Sequence, residues 1–185
     1  MQLTPCWKWG RLAAGAFGVL LCAALVGRGE PERCLTLDDL QHMPPCELDA
    51  LFRNSEVGKP LCGCARGRLL YLTDRCLPKL KVRMANRVWR GKCASEDGDF
   101  VNRWVGNRNW IGSQYVIGPS WVDGKPAVIM EYAPKTPLFE NMHDELREVA
   151  PGLYLGPVYE RFPCPKFRGY VALELECKPC RTCGP

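Results

Sequence analysis

Between Asn86 and Glu176 the chain is built of short runs rich in aromatic and β-branched residues. Asn86–Cys93, Asp99–Trp104, Asn109–Ile117, Ala127–Ala133, Gly152–Glu160 and Gly169–Glu176 are separated by Gly, Pro, Asp or Asn. Such runs suit a pleated, half-buried surface, and breaks this close leave no room for the helical crossovers of a parallel sheet. Asp123-Gly124 between two of the runs is the strongest hairpin signal. In the last run Glu174 and Glu176 alternate with Leu173 and Leu175, as expected of a strand with one wet face. The pattern predicts a mainly β fold, an antiparallel sheet or small barrel.

The N-terminus reads as a signal peptide over residues 1–27. Lys8 and Arg11 precede the uncharged apolar stretch Leu12–Val26, and small Gly27 and Gly29 lead into polar Glu30-Pro31-Glu32-Arg33. Fifteen apolar residues fall short of the roughly 20 needed to span a bilayer, so no stable membrane insertion is expected once the leader is removed. Removal takes two basic residues and lowers the formal charge from +5 to +3. Lys and Arg are interspersed with Asp and Glu, without the like-charge runs of a nucleic-acid partner.

A secreted chain would oxidise its cysteines. Ten lie beyond the leader: Cys34, Cys46, Cys62, Cys64, Cys76, Cys93, Cys164, Cys177, Cys180 and Cys183. Up to five disulfides are expected, with a connectivity that spacing alone leaves open. Residues 94–163 contain no cysteine, so the expected organisation is a cysteine-free core between stapled flanks. Residues 28–85 read as a cysteine-rich helical flank, 86–176 as the β-domain and 177–185 as a cysteine-rich tail. Within the first flank, Thr36 with Asp39 forms a capping pattern that puts Leu37 and Leu40 on one face. Glu47–Phe52 follows Pro44-Pro45 as a second short helix, and Leu80 and Met84 recur at helical spacing after Leu77.

The order Trp89-Arg90-Gly91-Lys92, Asn102, Ser120-Trp121-Val122-Asp123-Gly124-Lys125-Pro126, Glu131-Tyr132, Asp144-Glu145-Leu146-Arg147-Glu148-Val149 and Pro151-Gly152-Leu153-Tyr154-Leu155-Gly156 resembles a family of small uncharacterised proteins over about residues 84–176. The resemblance implies a lipocalin-like barrel and no established reaction. This chain departs from that pattern at His143, where a more strongly basic residue is expected, and in its cysteine-rich flanks.

Several motifs invite chemistry. His143-x-Glu145 with Pro179-Cys180-x-x-Cys183 imitates a zinc deaminase signature. Cys177, Cys180 and Cys183, with Cys62 and Cys64, could offer soft metal ligands, but in an oxidising compartment disulfides are the simpler fate, so no metal is assigned. No phosphate-binding loop or dinucleotide fingerprint occurs, and no cofactor is assigned. Ser120 lacks the flanking glycines of a nucleophile elbow.

The densest titratable cluster of the core is His143–Glu148. On a strand, His143, Glu145 and Arg147 would share one face and Asp144, Leu146 and Glu148 the other. Such a face could supply an acid or base beside a guanidinium, or could be a solvated, salt-bridged surface. Trp89, Trp104, Trp110 and Trp121, with Tyr132, could line an apolar pocket or fill the core.

The reading that joins these features is a secreted binding protein for a small apolar or amphipathic molecule. Trp89, Trp110, Trp121 and Tyr132 are the expected walls and Arg147 the head-group partner. The rivals are a small-molecule isomerase or hydrolase using His143, Asp144 or Glu145 with Arg147, and a structural extracellular protein. Neither composition nor motif fixes an oligomeric state.

Overall fold

The computed structural model describes residues 34–132 and 139–176, and the leader and cysteine tail lie outside them. Helices α1 (Leu37–His42) and α2 (Pro45–Asn54) precede strand β1 (Gly63–Leu72) and helix α3 (Pro78–Val88). Seven strands follow: β2 (Trp89–Ala94), β3 (Asp99–Trp104), β4 (Arg108–Pro119), β5 (Pro126–Tyr132), β6 (Met142–Ala150), β7 (Leu153–Glu160) and β8 (Lys166–Leu175). Each strand pairs antiparallel with the next, and β1 pairs with β8, so the sheet closes into an eight-stranded barrel.

Period-two alternation sorts the side chains. Val128, Met130 and Tyr132 of β5 face the lumen with Phe100, Leu146, Tyr154 and Leu173. Ala127 and Ile129 face outward, where Leu37, Leu40, Leu48 and Phe52 of α1 and α2 cover them together with Leu153, Leu155, Tyr170 and Ala172. Burying each of those four helix side chains stabilises by roughly 1.5–3 kcal/mol. The expected capping box is present: the Thr36 N–H donates to Asp39 at 2.9 Å, and the Asp39 N–H donates to the Thr36 hydroxyl at 3.3 Å. Asp123-Gly124 sits in the β4–β5 turn, with Gly124 at φ +75°.

Three boundaries differ from the sequence reading. The flank assigned as helical contains β1, whose first lumen-facing positions are the small residues Ala65 and Gly67. The Trp89 ring occupies that space, since a Cβ on Gly67 would lie 2.4 Å from it. The strand expected from Asn86 begins at Trp89, because α3 continues to Val88. Strand β6 went unassigned because its residues are charged on both faces.

The seam between β1 and β2 is only half paired. Gly63–Arg66 pair with Gly91–Ala94, whereas Leu69–Leu72 have β8 on one side and no strand on the other. Helix α3 fills the gap. The Asn86 amide substitutes for a strand neighbour, accepting the Leu69 N–H at 2.8 Å and donating to the Leu69 carbonyl at 2.9 Å. A disulfide between Cys64 and Cys93, directly opposite each other, ties the paired end. Closing its 29-residue separation stabilises the barrel by roughly 3–4 kcal/mol on a chain-entropy argument.

The expected stapling of the two flanks is not what this bridge does, since it joins neighbouring strands. Cys34, Cys46, Cys76 and Cys164 are exposed and form no bridge among the described residues, Cys62 lies 3.8 Å from Glu96, and Cys177, Cys180 and Cys183 are outside those residues.

Candidate functional site

The lower lumen is filled by side chains, but the end beside α3 is hollow. A cavity of about 480 Å³ lies there, within the range of small-molecule pockets. Its walls include Leu69, Val88, Trp89, Tyr132, Val158 and Val171, its polar floor is formed by Lys92, Asn102 and Asp144, and the ion-paired set Asp74, Glu160 and Arg168 completes the polar lining.

A bulge builds the floor. Strict alternation would turn Trp89 away from the face that holds Lys92, but the β2–β3 register slips between Trp89 and Gly91. Arg90 is thereby left outside, and Trp89 and Lys92 both point inward. Gly91 is required at this point: its φ is +131°, and a Cβ would lie 2.0 Å from the Ala65 carbonyl. A second bulge places Ile111 at φ +62°, a left-handed conformation that is costly for a β-branched residue. It presents the Ile111 carbonyl to the Asn102 Nδ2, which donates at 2.6 Å. The Asn102 amide is thereby oriented, and its Oδ1 accepts from Trp89 Nε1 at 2.9 Å and Lys92 Nζ at 3.2 Å.

The Lys92 ammonium donates also to the Tyr132 hydroxyl at 2.5 Å and pairs with Asp144 Oδ2 at 3.2 Å. Its three protons are therefore all engaged. The ammonium also lies 4.7 Å from the Phe100 ring centroid and 4.9 Å from that of Tyr132. Burial disfavours the charged amine, but Tyr132 and Asp144 outweigh it and hold the Lys92 pKa above the ordinary lysine value. Burial, reinforced by Asp144, pushes the Tyr132 pKa up, so Tyr132 remains a phenol and donates to Asp144 Oδ2 at 3.3 Å. Asp144 lines the cavity, and its Oδ1 has no donor among the described residues.

The sequence candidates fall on two sides of the barrel wall. Trp89, Tyr132 and Asp144 line the cavity. Trp110 is outside and 56% exposed. Trp121 is also outside, stacked on the His143 imidazole with ring centroids 3.7 Å apart. His143 Nδ1 lies 3.1 Å from Glu131 and Nε2 3.1 Å from Glu145. Glu145 further accepts the Ser120 hydroxyl and, at 2.7 Å, the Trp121 N–H. Asp144 faces the lumen and is thus separated by the sheet from His143 and Glu145, and the three do not form one acid–base site. With both His143 nitrogens against carboxylates and Ser120 bonded to Glu145 rather than His143, the outer cluster reads as a fastening between β6 and the β4–β5 turn.

Arg147 is also corrected as a head-group partner. It is fully buried on the outer face, and all five N–H groups donate: to both Asp123 carboxylate oxygens at 2.9 and 2.6 Å and to the carbonyls of Pro126, Phe52 and Lys125 at 3.0–3.2 Å. Its guanidinium lies 4.4 Å from the Phe52 ring centroid, so it clasps α2 to the β4–β5 turn. Hydrogen bonding from Arg147 outweighs burial and lowers the Asp123 pKa to about 2. Lys92 and Asn102 were not singled out as functional by sequence reasoning. The available signal was their inclusion, with Trp89, Tyr132 and Asp144, in the segments that carry the family resemblance.

No family model and no curated protein matches the chain. Among solved structures, the crystal structure of a protein from Thermomonospora curvata is similar at 15% identity, covering 73% of this chain and 89% of that one with a TM-score of 0.50. At that identity the likeness concerns the fold alone.

Three variants test the two faces of β6. Lys92→Met leaves Asp144 buried without its counter-ion and should lose roughly 3–5 kcal/mol in urea unfolding at neutral pH, while Lys92→Met with Asp144→Leu should recover most of the loss. An unchanged midpoint in the single variant would contradict the pairing. On the outer face, the Asp123 pKa of about 2 when folded lies below its ordinary 3.8. The ion pair therefore contributes fully above about pH 4 and is lost as pH falls through 2. Asp123→Asn should be destabilised at pH 7 and converge on wild type in acid; a stability difference independent of pH would argue against the assignment.

Proposed function

We propose that this chain is a secreted, lipocalin-like binding protein that holds a small amphipathic molecule in the barrel lumen. The leader-like N-terminus and the Cys64–Cys93 disulfide support secretion. The observation that carries the binding reading is the pairing of an apolar-walled cavity of about 480 Å³ with one uncommitted carboxylate oxygen on its floor.

That floor also selects the head group. Lys92 has no proton left for an incoming anion, the Arg168 guanidinium in the lining is held by Asp74 and Glu160, and a ligand carboxylate would meet the like charge of Asp144. A hydroxyl or amine can donate to Asp144 Oδ1 while its apolar portion contacts Trp89, Val158 and Val171. The ligand class is thus an amphipath with a hydrogen-bond-donor head, an alcohol or amine rather than a fatty acid.

Fluorescence titration with 1-aminoanthracene, followed by displacement, tests this reading. Saturable binding should be displaced by 1-decanol, with decanoate roughly 10–100-fold weaker, the range set by a hydrogen bond to a charged group. Val158→Trp, which fills the cavity, should abolish binding, and Trp121→Ala on the outer face should leave it unchanged. Equal binding in folded Val158→Trp, or preference for decanoate, would overturn the reading.

A further inference from the structure

The helix beside the cavity has an unpartnered face. Leu80, Met84 and Val88, at helical spacing after the left-handed N-cap Leu77, are 49%, 61% and 45% exposed, and Leu77 is 62% exposed. Pro78, Val82, Ala85 and Asn86 occupy the opposite, half-buried side against the barrel. The apolar stripe therefore follows from how Asn86 docks α3 on Leu69, which turns the larger apolar residues to the surface.

Charge borders the stripe on both sides. From Arg75 to Arg90, both included, the chain has six basic residues and no acidic one. Lys81 pairs with Asp74 at 2.7 Å, whereas Lys79, Arg83 and Arg87 have no carboxylate partner among the described residues. At 100° per residue, Lys79, Arg83 and Arg87 fall along one border of the stripe and Lys81 along the other. A helix with an exposed leucine and methionine face between basic borders has the character of one that lies in a membrane interface. No helix among the described residues is long and apolar enough to cross a membrane, which fits lying on the surface rather than spanning it.

We propose that α3 is a docking helix for an anionic phospholipid surface, with Leu77, Leu80, Met84 and Val88 inserted among the acyl chains and Lys79, Arg83 and Arg87 on the phosphate and carboxylate head groups. The charge complementarity selects a lipid surface over an apolar protein groove, which would leave these three cations without partners. Ala85 and Val88 also line the lumen cavity, so the docked helix stands between the bilayer and the binding site. On the lumen-binding reading, this places α3 on the route by which an amphipathic molecule passes between membrane and barrel. The docking itself does not depend on that reading.

Vesicle sedimentation of the full chain as secreted provides the test. The protein should bind vesicles of phosphatidylcholine with phosphatidylserine at about 0.1 M salt, bind phosphatidylcholine alone weakly, and be released at about 1 M salt, where charges are screened within roughly 3 Å. Lys79→Gln, Arg83→Gln and Arg87→Gln should each weaken binding roughly fivefold. Leu80→Ser with Met84→Ser should weaken it at least tenfold by the area argument, ~1.4 kcal/mol or more. All these positions are exposed, so circular dichroism should be unchanged. Val158→Trp, which tests the lumen, should bind vesicles as wild type does and keeps the two proposals separable. Failure to bind anionic vesicles, as for a soluble protein partner, would overturn the proposal; so would equal binding to neutral vesicles, or α3 variants that bind like wild type.

Discussion

From His143 to Arg147 every side chain of β6 is withdrawn from water, and four of those five are ionisable. Burying a charge costs several kcal/mol unless it is paired, so this one strand imposes demands on both sides of the barrel wall. Inside, Asp144 requires Lys92, and Lys92 in turn requires Tyr132 and Asn102 to engage its other protons. Outside, Glu145 requires Ser120 and the Trp121 amide, and Arg147 requires Asp123 and three carbonyls. The outer set fixes the β4–β5 turn and α2 in place. The inner set gives the lumen a polar floor that is satisfied everywhere except at one carboxylate oxygen.

Much of this was legible in the sequence where hydrophobic alternation carries the information. The β3 run matches residue for residue, and the runs for β4, β5, β7 and β8 lie close to their strands, because most of their inward positions are aromatic or aliphatic. The capping pattern at Thr36 likewise found α1, since cap chemistry is local. Strand β1 was hidden because Gly67 leaves space for the Trp89 ring, an accommodation that shows only when the partner strand is in position. Strand β6 was weighed as a strand, and the division of its residues between two faces was foreseen. Which face would be lined by a cavity could not be read from spacing, because α1 and α2 bury the outer face as thoroughly as the barrel buries the inner one.

The same limit misassigned Arg147 and Trp121. An arginine within a titratable cluster is equally suited to a ligand and to a set of backbone carbonyls, and only the fold of the β4–β5 turn decides between them. Lys92 shows the converse. As one basic residue among 25 it carries no positional signal, yet the bulge at Arg90 and the glycine after it place it at the centre of the lumen. The two bulges next to the cavity, at Arg90 and Ile111, are the places where local backbone preference is overridden, and both serve to aim a polar group at Asn102 or Lys92.

The half-paired β1–β2 seam joins these features to the surface. The disulfide holds one end of that seam and α3 closes the other, next to the cavity wall. The central claim is that the free oxygen of Asp144 receives the ligand head, and carbon-13 NMR of side-chain carboxyls during titration with 1-octanol tests it most directly. The Asp144 carboxyl resonance should shift saturably while those of Asp123 and Glu145 stay fixed. A stationary Asp144 signal at saturating alcohol, or equal shifts at all three carboxyls, would contradict the account.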